Sequence, residues 1–174
     1  MTRVLILGIG NLIMGDDGAG VCVVHKLQRV HSLPSGVAVM DGGTLGLDLL
    51  PALEGVSHLI LVDAVATGSR PGTLVKLVGE EIPLALETRL SPHQMGLKDL
   101  LAVARLMGQE PAEMVLIGVQ PGSIEMGTEL TPAVAERVDD MLAAIMAQLA
   151  QWGLAVESVV PAAEQPSYRN TIPI

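Results

Sequence analysis

Apolar residues fall along this chain in short continuous runs and in periodic stripes, and the two alternate. Residues 4–7, VLIL, form an unbroken aliphatic run suited to a strand buried on both faces, and Gly8 and Gly10 behind it allow the backbone to turn sharply. From about Gly18 the period changes. Val21, Val24, Leu27 and Val30 recur at three-residue steps, with Cys22 and Val23 widening the stripe, and predict an amphipathic helix. Residues 37–40 predict a short second strand ending in Asp41, Gly42, Gly43 and Thr44, and residues 45–53 a brief helix. HLILVDAV at 58–65 predicts a third strand, apolar on both faces until Asp63 interrupts it near its carboxyl end. Residues 68–72, with Arg70 and Pro71, predict a turn into a fourth strand at 73–78. That connection is too short for a parallel crossover, so it permits an antiparallel neighbour.

Residues 80–90 are less regular, and Ser91, Pro92 and His93 follow as a loop. The next helix carries Leu97, Leu100, Leu101, Ala104 and Leu106 and ends near Gly108; residues 114–119 predict a fifth strand. The last helix has Thr131 as N-cap, Pro132 at its first position and Gly153 just past its end. Its stripe runs Val134, Val138, Met141, Leu142, Ile145, Met146, Leu149, Trp152. Beyond it, Pro161, Pro166 and Pro173 predict an extended or flexible tail. The reading is one α/β domain over residues 1–153 and a tail over 154–174.

Composition narrows this. At 174 residues the chain fits a single domain with a real core, and with 49% hydrophobic but 1% aromatic residues that core is aliphatic. The mean hydropathy of +0.50 raises the question of a membrane. No apolar run approaches the roughly 18 to 20 residues that spanning requires. The opening Arg3 and VLILGIG faintly imitate a signal peptide, but Asn11 and the acids at 16 and 17 fit a strand and turn better. A lone Cys22 allows no disulfide framework, so a cytoplasmic location is expected. The formal charge is −9, from 10 basic and 19 acidic residues, without a basic cluster. Nucleic acid and anionic lipid are thereby poor partners, and nothing demands an oligomer, so a monomer is expected.

The candidate chemistry is in the acids. Asp16 and Asp17 fall at a strand-to-helix junction beside the positive end of a helix dipole, where carboxylates are favoured, and Asp16 reads as the cap. Asp17 follows the first strand and Asp63 ends the third. Parallel strands bring their carboxyl ends to one edge, so if these strands are neighbours the two carboxylates face one crevice. His93 stands at a helix start, where the dipole leaves a neutral ring nitrogen free to bind metal. Two carboxylates and an imidazole, completed by water, suit a borderline ion such as Ni²⁺ or Zn²⁺. A plainer account stands beside this: Asp63 satisfied by backbone donors, His93 a loop-to-helix cap. Asp63 resists it most, because an acid ending an aliphatic strand is costly to bury unpaired.

Other residues carry less. No HExxH helix is present. Cys22 reads as a small core residue, and Ser91 has no place in a triad. Asp41 either forms a turn or, with Gly42, lines the cleft. His25 and His31 read as surface residues and His58 as a strand start, without metal-type spacing. A Rossmann-type dinucleotide module is the main rival, on Gly8, Gly10 and Asp41, but Ile13 replaces its third glycine and Asp16 and Asp17 would repel a pyrophosphate.

Six stretches in order resemble the maturation endopeptidases of nickel-iron hydrogenases: GIGN at 8–11, DDGAG at 16–20, DGGT at 41–44, LVDAV at 61–65, SPHQMGL at 91–97 and GVQP at 118–121. The resemblance covers roughly residues 3–152. It implies a three-layer α/β/α fold of phosphorylase/hydrolase-like type, its five-stranded sheet mixed and mostly parallel with the fourth strand antiparallel. It also implies removal of the C-terminal extension from a hydrogenase large-subunit precursor once nickel is in place. By motif, the metal-binding residues, sharing any catalytic role, are Asp17, Asp63 and His93, with Asp41 and Gly42 on the substrate side. The family often has Glu at the first position, and Asp17 is one methylene shorter. Nickel would arrive with the precursor, and another divalent metal in vitro is compatible. Whether that metal polarises the scissile carbonyl or a carboxylate activates water stays open. A non-catalytic nickel-binding or chaperone protein using the same three ligands is the second rival.

Overall fold

A computed structural model describes residues 3–87, 92–154 and 156–158, without the side chains of residues 87, 92, 93, 157 and 158. In order, the elements are β1 (Val4–Ile9), a 3-10 turn Gly15–Gly18, α1 (Ala19–Val30), β2 (His31–Ser32), β3 (Val37–Gly43) and a 3-10 helix Gly46–Leu53. Then come β4 (His58–Ala64), β5 (Leu74–Val78), α2 (Glu81–Glu87), α3 (Pro92–Leu106) and β6 (Glu113–Val119). The described chain closes with α4 (Pro132–Ala135), α5 (Val138–Gln151) and β7 (Glu157–Ser158).

Side chains alternate across a strand, so each apolar run serves two cores. Val4 and Ile6 of β1, Ile60 and Val62 of β4, and Ile117 of β6 face α1, α4 and α5, burying Val23, Val24, Leu27, Val134, Met141 and Ile145. Leu5, Leu7, Leu59, Leu61 and Leu116 face the other way, onto Leu53, Ile82, Leu97 and Leu100 of the 3-10 helix, α2 and α3. The five-stranded sheet has the order β3-β1-β4-β6-β5, and β1 pairs in parallel with both β3 and β4. The edge strand β5 runs antiparallel to β6, as the short turn before it predicts. The architecture is α/β with a mixed, mostly parallel sheet between helical layers.

Helix α1 is pressed hard onto this sheet. A Cβ on Gly20 would lie 2.0 Å from the Val62 carbonyl oxygen and 2.6 Å from that of Ile9, and one on Gly8 would lie 2.4 Å from Val24 Cγ2. Gly8 thus works inside β1 as a seat for the helix, and the turn expected of it belongs to Gly10 alone, at φ 129°.

Two local expectations change, and that for the start of the tail is sharpened. Residues 81–87 form α2, where Ile82 and Leu86, one turn apart, are both buried; Pro83 is tolerated in the first turn. Residues 88–90 of that segment, and Ser91, lie outside the described residues. The last helix is two helices, since the Arg137 N–H bonds to Val134 O, three residues back, before the α-ladder resumes with Met141 N–H to Arg137 O. The tail is docked at its start: Leu154 and Val156 pack against the α1 core and β7 pairs antiparallel with β2, whereas residues 159–174 lie outside the described residues.

At the edge where β4 and β6 begin, Trp152 donates its Nε1–H to Glu113 Oε2 at 2.7 Å and stands edge-on to the His58 ring, centroids 4.7 Å apart. No helix among the described residues is long and apolar enough to cross a membrane.

Candidate active site

The loop leaving β1 doubles back on itself. A Cβ on Gly10 would fall 1.8 Å from Asp17 O, so only glycine permits the fold-back. Asp17 is thereby buried, and its Oδ2 accepts the Asn11 N–H at 3.1 Å. Gly20, three residues on, rests on the Val62 carbonyl, and Val62 precedes Asp63. The neighbouring of β1 and β4 on which the predicted crevice depends is present, since those strands are hydrogen-bonded in parallel.

Asp63 continues the row of Leu59 and Leu61, and so it faces the α3 layer. It is fully buried; Oδ1 accepts the Ala64 N–H at 2.8 Å, and Gln94 on α3 donates its side-chain amide to Oδ2 at 3.4 Å and to Ala64 O at 3.1 Å. Gln94, in the stretch SPHQMGL, had no role assigned from the sequence, where only its place after His93 marks it. The start of α3 is fixed from the other side as well. A Cβ on Gly96 would lie 3.0 Å from Gly46 Cα, and one on Gly46 would lie 3.2 Å from Gly96 Cα, so helix and β3 exit touch backbone to backbone. His93 belongs to the first turn of α3 rather than to a loop, and its side chain lies outside the described residues. Among the described residues no three His, Cys, Asp or Glu side chains form a metal-binding group.

Asp16 corrects the sequence reading most. It caps no helix: fully buried, it accepts Gly122 N–H (2.7 Å) and Ser123 N–H (3.0 Å) on Oδ2, Thr131 N–H (2.7 Å) on Oδ1 and the Thr131 hydroxyl (2.8 Å) on Oδ2. Thr131, for its part, donates its hydroxyl to Asp16 and makes no cap bond to α4. Backbone bonds complete the tie, from Asp16 N–H to Ser123 O, Gly15 N–H to Gly127 O and Gly127 N–H to Ile13 O. Burial pushes the Asp16 carboxyl up, but the donors from Ser123, Thr131 and Gly122 outweigh it and hold the group below its usual value of 3.8. A depressed carboxyl contributes stability above its unfolded value and loses it as the pH falls through the folded one. Asp16→Asn should therefore be about 2 kcal/mol less stable at neutral pH, since buried donors lose a charged acceptor. Urea titrations should show that gap narrowing only below pH 3.8.

Asp41 lies on the opposite face from Asp63, following Val37 and Val39 towards α1, where its Oδ2 is 2.8 Å from His25 Nε2. With Gly10, Asn11, Leu12, Val21, Gly43 and Thr44 it lines a cleft of about 200 Å³. Gly42 is skipped in the β1–β3 register, which pairs Gly8 with Asp41 and Ile9 with Gly43, and it packs on Leu7 and Ile9. Cys22 is half-buried rather than core, and burial pushes its thiol up, which disfavours a thiolate nucleophile. Gln120, in the GVQP stretch, ties the β4 exit to the β6 exit by accepting from the Thr67 N–H and hydroxyl. The dinucleotide reading fails here. A 3-10 turn carrying two buried acids stands between β1 and α1 where a pyrophosphate would sit, and Asp41 is engaged by His25.

Comparison with known proteins agrees with this geometry. The family model for hydrogenase maturation proteases matches residues 21–148. The hydrogenase expression/formation protein HupD of Rhodobacter capsulatus is 45% identical over 156 residues, which are 88% of this chain and 74% of that protein. The hydrogenase 2 maturation protease of Escherichia coli K12 is 38% identical over 153 residues, 87% of this chain and 93% of its own. The solved structure of the hydrogenase maturating endopeptidase HybD from E. coli superposes with a TM-score of 0.87 at 37% identity, covering 90% of this chain and 98% of that one. Buried acids at the carboxyl edge of this sheet, with relatives of this closeness along nearly its whole length, make the chain an endopeptidase of the hydrogenase maturation protease family.

Proposed function

We propose that this endopeptidase removes the C-terminal extension of a nickel-loaded hydrogenase large-subunit precursor, and that Asp17, Asp63 and His93 recognise the nickel. One observation carries the reading: Asp63 is fully buried at the carboxyl end of β4, beside β1 and under the start of α3. The Ala64 N–H and the Gln94 amide hold this carboxylate as an oriented acceptor, and an acid held so at the end of β4 suits a divalent ion presented by a substrate. Ala64 and Gln94 fix the orientation of the Asp63 carboxylate, and Asn11 does so for Asp17. His93 belongs to the first turn of α3, and in this reading its imidazole completes the set. Asp41 stands at the cleft beside the β1 exit and would contact the extension as it passes, whereas Gly42, expected beside it, is buried against Leu7 and Ile9. In this reading the protein acts as a cytoplasmic monomer.

The test is to incubate the protein with nickel-loaded and with nickel-free precursor and to measure intact masses. The loaded precursor should lose a C-terminal peptide and the nickel-free one should keep its mass. Equal cutting of both would end the nickel-recognition reading, and cutting of neither would end the assignment of the precursor as substrate.

A further inference from the structure

The two loops that Asp16 ties together carry large apolar side chains pointing into solvent. Leu12 is 39% exposed, Ile13 56%, Ile124 52% and Met126 84%. Such residues scattered singly need no explanation. These four are different in that they share one rigid piece of backbone: Met14 bridges Gly127, and the buried Asp16 carboxylate takes N–H groups from Gly122, Ser123 and Thr131. A ledge held so firmly loses little conformational freedom when something lands on it. It also adjoins the cleft at the β1 exit, since Leu12 lines that cleft with Gly10, Asp41 and Thr44.

The charge on these loops has one sign. Residues 4–25 and 106–136 contain no Lys or Arg, and Glu125 and Glu129 stand exposed beside the apolar residues. An occupant that fits must offer apolar side chains to Ile13 and Met126 and basic ones to Glu125 and Glu129.

Resting on the reading above, we infer that the ledge formed by Leu12, Ile13, Ile124 and Met126 is the docking surface for the precursor, engaging a segment of it in which apolar residues are flanked by Lys or Arg. The ledge sets affinity for the precursor and takes no part in the chemistry, which belongs to the neighbouring crevice.

The experiment is steady-state processing of nickel-loaded precursor by the wild type, by Ile13→Ser with Met126→Ser, by Glu125→Gln with Glu129→Gln, and by Leu106→Ser. Leu106 ends α3 and is 87% exposed away from the ledge, so it controls for the loss of an exposed apolar residue as such. The apolar double variant should raise KM about tenfold or more, as loss of central apolar anchors does, with kcat within twofold of wild type. The acidic double variant should raise KM and flatten its dependence on salt, while Leu106→Ser matches wild type. If the wild type cuts and the apolar variant keeps a wild-type KM, the ledge is not the docking surface although the functional reading survives. A fall in kcat alone overturns the inference in the same way, as does sedimentation showing a wild-type dimer that the apolar variant dissolves without a change in KM. If the wild type cuts nothing, it is the functional reading that fails.

Discussion

Asp63→Asn should process nickel-loaded precursor at least about 100-fold more slowly than wild type, since even groups one shell outside a metal are worth 10- to 100-fold. The same variant should remain folded, with a melting temperature only modestly below wild type. Asp63 is fully buried at the end of an otherwise aliphatic strand. An amide of the same shape keeps a carbonyl oxygen for the Ala64 N–H but turns its NH2 towards the Gln94 donor, which lowers stability somewhat without removing the main contact. Loss of activity far out of proportion to loss of stability is the signature of a residue retained for its chemistry. A thermal melt and a processing assay on the same preparation decide the matter. Processing within threefold of wild type would remove Asp63 from the site, and a collapse in melting temperature would mark it as structural. Asp17→Asn and His93→Gln should lose processing in parallel.

Gly20→Ala should be the most damaging single methyl group in the chain's first helix. Its Cβ would meet the Val62 oxygen at 2.0 Å and the Ile9 oxygen at 2.6 Å, and both are main-chain atoms of central strands that cannot move aside singly. Overpacking of this kind typically costs 1–3 kcal/mol, and with backbone on both sides we expect about 3 kcal/mol or more. Gly68→Ala is the matched comparison. It has a positive φ of 74° but nothing within 4 Å of the added methyl, so only the left-handed backbone penalty of about 1–2 kcal/mol applies. Denaturant midpoints should rank wild type above Gly68→Ala above Gly20→Ala, and equal midpoints for the two variants would show that α1 can lift off the sheet. Such lifting would separate Asp17 from Asp63, so any Gly20→Ala protein that folds should also process poorly.

What the sequence made legible was whatever a local pattern encodes. The unbroken aliphatic runs 4–7 and 59–62 announced central strands buried on both faces, and the short turn before residue 73 announced an antiparallel one. The neighbouring of β1 and β4, which brings the chain positions of Asp17 and Asp63 to one edge of the sheet, followed from the fold class. What escaped depends on partners far away in the chain. Asp16 has the local setting of a cap, yet its hydrogen-bond partners lie 106, 107 and 115 residues on. Gln94 and Gln120 likewise act on residues 31 and 53 positions distant. α2 escaped for a different reason, because a seven-residue helix shows only one apolar repeat, Ile82 to Leu86, too little to separate from an irregular segment.

Trp152 gives the molecule a built-in optical reporter, and its position decides what that reporter sees. It is the only tryptophan, and its indole is held between Glu113 and His58 where β4 and β6 begin. Asp63 lies at the other end of β4. Indole emission therefore follows separation of α5 from the sheet, a global event, and stays dark to a precursor arriving at the opposite edge. Fluorescence will measure how long this enzyme stays folded, and a dye placed on the partner will be needed to watch it bind.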